Sequence, residues 1–112
     1  MAVIVLTDEP ANLLRSIKTA IANKSIDTWA VDSDGDFTHS RPQWVNEAWL
    51  RPSIGTDRLV LTIINPKGKT ISTTTYGIYH GRFIEMLLNH FDKKFTRAYA
   101  TALPDGRDAV GP

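Results

Sequence analysis

A chain of 112 residues, 42% hydrophobic and 22% charged, can build one two-layer core but not separate cofactor and substrate domains. The lack of cysteine excludes a disulfide scaffold, a thiolate nucleophile and a thiolate zinc site. A net charge of +1 falls well short of the basic surface of an electrostatically driven nucleic-acid binder, although residues 57–112 carry eight Lys or Arg against five Asp or Glu, and residues 1–56 five against seven.

The apolar opening, Ala2 to Leu6, is too short for a signal peptide or a membrane span, so the chain reads as soluble and cytoplasmic, without membrane contact. It can add a short strand ahead of the first helix. "TDEPANLLRSIKTAIANK" is that helix: Thr7 or Asp8 can cap it, acids lie in its first turn, Pro10 sits where a helix tolerates it, and Leu13, Leu14, Ile17, Ala20 and Ile21 recur at helical spacing.

"DTWAVDSDGDFTHS" reads as a hairpin. A two-residue loop would set Val31 against Thr38 and mix apolar with polar positions. A three-residue loop, Ser33-Asp34-Gly35, pairs Val31 with Phe37 and Trp29 with His39, with Gly35 supplying the positive φ. That register puts His39 on the buried face beside Trp29. "WVNEAWLRP" follows as a strand ending at Pro52, with either Trp44, Ala48 and Leu50 or Val45 and Trp49 facing inward. "SIGTD" is a turn, "RLVLTIIN" the strongest strand, and "NPKG" a tight turn. Ile71 to Tyr76 is expected to return as a strand, pairing Ile63 with Ile71 and presenting Ser72, Thr74 and Tyr76 outward. "HGRFIEMLLNHFDKK" is the second helix, "FTRAYATAL" a last strand, and 104–112 a flexible tail beyond a single domain over 1–103. The fold class is α+β: an antiparallel meander of four to five strands with two helices on one face, in the order α-β-β-β-β-α-β.

Three groups carry candidate chemistry. Asp32, Asp34 and Asp36 form an acidic loop tip. Counted from Asp32, Phe37 stands where a calcium loop needs glycine and Gln43 where it needs glutamate, so a solvated tip is favoured over a weak metal site. His80, Gly81, Arg82 and Glu85 are a candidate anion site, because Arg82 in a first helical turn would oppose the helix dipole unless it served a ligand; the plainer reading pairs Arg82 with Glu85. Tyr76, Thr74 and Ser72 are a candidate interaction surface. No cofactor and no catalytic residue are implied. The leading functional expectation is a non-catalytic module binding another protein or a second copy of itself, with one of its three tryptophans as an exposed anchor. A weak single-strand nucleic-acid binder and a small anion-binding domain or enzyme are the alternatives.

Overall fold

The structure, a computed structural model, describes residues 2–102. The tail expected at 104–112 lies outside the described residues. The element order is β1 Ala2–Leu6, α1 Pro10–Ala22, β2 Trp29–Val31, β3 Phe37–His39, β4 Trp49–Gly55, β5 Arg58–Ile64, α2 Thr73–Phe91 and β6 Arg97–Ala100. The fold is α+β, with six strands rather than four to five, in the spatial order β2-β3-β4-β5-β1-β6. All its pairings are antiparallel.

β1 is an inner strand. Val3 pairs with Leu61 on one side and Ala100 on the other. An unbroken apolar run suits a position flanked on both edges. Alternation then sorts the sheet: Val3, Val5, Leu59, Leu61, Ile63 and Leu50 face one way, into a core shared with Leu13 and Ile17 of α1 and Tyr79, Phe83 and Leu87 of α2. Both helices therefore cover one face. No helix among the described residues is long and apolar enough to cross a membrane.

The first hairpin has the expected register, Val31 with Phe37 and Trp29 with His39, and Gly35 takes φ +86°. Two local expectations change, and one open alternative is decided. Residues 41–48 form turns, and β4 begins only at Trp49. Ala48 and Leu50 are fully buried while Val45 is exposed, which settles the inward face. β4 also runs through Pro52 to Gly55, so the turn shrinks to Thr56 and Asp57. A proline is tolerated there because β3 pairs with β4 only at Leu50, leaving β4 beyond it an edge strand that needs no N–H on that side.

At α1 the cap position is Glu9, without a side-chain cap bond, and no acid lies in the first turn. The Thr7 hydroxyl instead accepts from the Glu9 N–H (3.2 Å) and donates to the Lys94 carbonyl (2.8 Å), tying the start of α1 to the end of α2.

The largest correction concerns residues 71–76. They do not return to the sheet; α2 begins at Thr73, and the Ser72 hydroxyl caps it by accepting from the Thr75 N–H at 3.1 Å. The stripe Thr75, Tyr79, Phe83, Leu87 and Phe91 recurs every four residues and is buried along its length. That helical period outweighs the β-former composition of "TISTTTY". The outward sheet surface through Ser72, Thr74 and Tyr76 therefore does not form. Ser72 and Thr74 are exposed at a helix start, and Tyr76 is half-buried on α2.

Candidate functional site

The early start of α2 dismantles half of the expected anion site. Arg82 lies deep in the helix rather than in its first turn, so Gly81 and Arg82 have no free backbone N–H groups to offer. His80 is buried, its Nδ1 2.8 Å from the Tyr76 carbonyl, and is not among the residues lining the pocket that Arg82 borders. Gly81 is exposed, with open space where a Cβ would stand.

Arg82 and Glu85 instead meet the far end of the first hairpin. A pocket of about 480 Å³ lies between α2, the end of β3 and the turns that follow it. Trp29 and His39 come from the hairpin, Arg41, Gln43 and Trp44 from the turns, and Arg82 and Glu85 from α2. The Arg82 guanidinium lies 3.4 Å from the Glu85 carboxylate, with both side chains more than half exposed. Such a pair contributes about 0–1 kcal/mol and leaves Arg82 available to a ligand.

His39 is the buried centre of the pocket. Its ring packs edge-on against Trp29 at 5.1 Å, and its Nδ1 accepts the Arg41 backbone N–H at 3.2 Å. Burial, helped by the positive charges of Arg82 and Arg41 and opposed by Glu85, holds its pKa below the ordinary 6.5. At neutral pH the ring is uncharged. With Nδ1 engaged as an acceptor, Nε2 carries the proton. The ring thus presents an N–H donor, while its Nδ1 lone pair is engaged by the Arg41 N–H.

Tyr79 holds the pocket's outer wall. Its hydroxyl donates to the Trp44 carbonyl and lies 3.1 Å from the Thr38 hydroxyl, which itself meets the Ala48 carbonyl (3.0 Å) and the Asn46 N–H (3.0 Å). One helical side chain thereby shapes the turns that carry Arg41 and Gln43.

The three hairpin acids lie at the opposite end of β2 and β3 from this pocket. Each offers a ligand atom within 4.8 Å of the others. Their hydrogen bonds account for much of the crowding: Asp32 Oδ1 accepts the N–H groups of Asp34 and Asp36, both at 2.9 Å, and buried Asp36 takes a two-point contact from Arg51, at 3.1 and 2.9 Å. Their chemistry is that of a tight turn with one ion pair, in which the acid is buried and the arginine half-exposed.

A second, larger cleft of about 600 Å³ lies at the start of α1, where Asp8, Glu9 and Asp57 mingle with Arg58, Lys93 and Lys94. Charges of both signs give it no preference for either kind of ligand.

Arg41, Gln43 and Trp44 were not expected at a site. The available signal was the sequence "HSRPQW", which sets an arginine two residues after a histidine already assigned to the buried face. The fold defines a small α+β domain with both helices on one sheet face and a donor-lined pocket. No protein-family model, curated protein or solved structure matches the chain.

Proposed function

We propose that this domain is a non-catalytic binding module whose pocket takes an anionic group, a carboxylate or a phosphate. The observation that carries the reading is the convergence of Arg41 and Arg82 on the buried, uncharged His39, with Gln43 alongside and Glu85 the one acid. Guanidinium groups and a ring N–H form a donor set that suits the lone pairs of an oxyanion. One feature argues for binding rather than turnover: the Nδ1 lone pair of His39, which a general base would use, is already engaged by the Arg41 backbone N–H.

The protein-partner reading has weaker support. Its expected surface now starts a helix, and no tryptophan is an exposed anchor: Trp29 is buried, and Trp44 and Trp49 are half-buried. Titration with inorganic phosphate and with acetate, followed by tryptophan fluorescence, tests the proposal, since Trp29 and Trp44 border the pocket. Saturable quenching that weakens about tenfold or more in Arg82→Ala or Arg41→Ala is the expected result. A flat response to both anions would end it.

A further inference from the structure

The sheet face opposite the helices offers a second, separate surface. By the pairing register, Arg58 of β5, Leu6 of β1 and Arg97 of β6 form one row across it, with Ile4 and Tyr99 in the next. Two strand spacings separate Arg58 from Arg97, about 10 Å. Both arginines are exposed, neither forms an ion pair among the described residues, and Tyr99 is 40% exposed on the same strand as Arg97. The acid joined to this face, Asp36, is already engaged by Arg51. Arg58 also borders the cleft holding Asp8, Glu9 and Asp57 without bonding any of them.

We infer that this face binds single-stranded nucleic acid, with Arg58 and Arg97 on successive phosphates and the Tyr99 ring stacked on a base. Charge complementarity selects the occupant. A second copy laid face to face would set arginine rows near one another. An apolar protein partner would find little to bury, because Ile4 and Val60 in the middle of the face are only 6% and 4% exposed. The exposed side chains on this face are those of Arg51, Ser53, Arg58, Arg97 and Tyr99, so its accessible part is mainly cationic and aromatic, the pair of features that track a backbone and stack bases without reading sequence. A duplex would use the arginines but leave the ring without an unpaired base.

The test is fluorescence anisotropy with labelled oligothymidylate and oligouridylate, the corresponding duplex, and a heparin fragment. Single strands should bind most tightly, and with two phosphates neutralised affinity should fall only about sevenfold between ~50 and ~200 mM salt. Arg58→Glu with Arg97→Glu should abolish binding. Tyr99→Ala should weaken it about tenfold, and Tyr99→Phe should restore it. Arg41→Ala and Arg82→Ala should leave it unchanged, which separates this surface from the pocket. Absence of binding at low salt, equal affinity for duplex or heparin, or indifference to the Arg58 and Arg97 reversals would each overturn the inference. Thermal melts of each variant identify any loss caused by unfolding, in which case Arg58→Gln and Arg97→Gln, tested singly, decide the outcome.

Discussion

The hydroxyl of Tyr79 donates to the backbone carbonyl of Trp44, so a side chain in the middle of α2 fixes the irregular segment that forms the outer wall of the pocket. Replacing Tyr79 with Phe keeps the ring in the core but removes the hydroxyl that the Trp44 carbonyl, the Thr38 hydroxyl and the His39 N–H share, leaving the Trp44 carbonyl to the Glu47 N–H and Thr38 to Ala48 and Asn46. The expected loss is about 1–3 kcal/mol of stability, read from urea unfolding. Because the same hydrogen bond holds the turns bearing Arg41, phosphate affinity should weaken as well. Unchanged stability together with unchanged affinity would show that these turns hold their shape without Tyr79.

His39 gives stability a pH dependence of definite sign. Its folded pKa lies below the unfolded value of 6.5, so the unfolded chain binds the proton more readily. The contribution is complete above that unfolded pKa and is lost as pH falls through it toward the lower folded value. Denaturation midpoints should therefore drop on acidification, and less so in His39→Gln. An identical decline in wild type and His39→Gln would move the effect to other groups.

Ligand binding should couple to the same ring. An anion seated between Arg41 and Arg82 offsets the positive charges that help to depress the His39 pKa, so binding draws a proton onto the ring. Affinity for acetate, which stays ionised throughout, should rise as pH is lowered from about 7 to about 6, and NMR titration of the His39 ring should show its pKa moving up on saturation. A histidine titration indifferent to the anion would place the anion elsewhere.

Gly77 and Gly81 lie on the exposed side of α2, one turn apart, and a Cβ built at either meets nothing within 4 Å. Neither has a backbone conformation that demands glycine. Each glycine costs an exposed helix about 0.5–1 kcal/mol relative to alanine. Gly77→Ala and Gly81→Ala should each raise the unfolding midpoint and leave anion binding intact. A loss of binding in the stabilised Gly81→Ala protein would show that a ligand approaches the helix backbone there.

Asp36 and Arg51 join the first hairpin to β4 through a two-point contact in which the acid is buried and the arginine half-exposed. Asp36→Ala should destabilise by about 1–2 kcal/mol. A double-mutant cycle with Arg51→Ala should give a coupling of about 1 kcal/mol, limited by the solvent around the guanidinium. A coupling near zero would leave the hairpin's stability to its turn and to Phe37.

Where a short stretch carries its own constraint, the residues alone were sufficient. The hairpin register followed from keeping Trp29, Val31 and Phe37 on one face around a glycine that can take positive φ, and α1 followed from its apolar spacing. His39 was placed beside Trp29 by the same reasoning. Tertiary structure decided what local patterns left balanced. Ala2–Leu6 is apolar on both faces, and only pairing with β5 and β6 made it an inner strand. Thr73 to Tyr76 has β-former composition, yet burying Thr75 and Tyr79 in line with Phe83 favoured helix, because a stripe packed against the sheet contributes more than the small propensity differences among its residues. The pocket depends on contacts distant along the chain: no spacing rule links Arg41 to Arg82, and they meet because Tyr79 and Trp29 pack hairpin against helix. Sequence periodicity reports which face of an element is apolar; which elements share that core, and so which exposed charges become neighbours, is set by packing the whole chain at once.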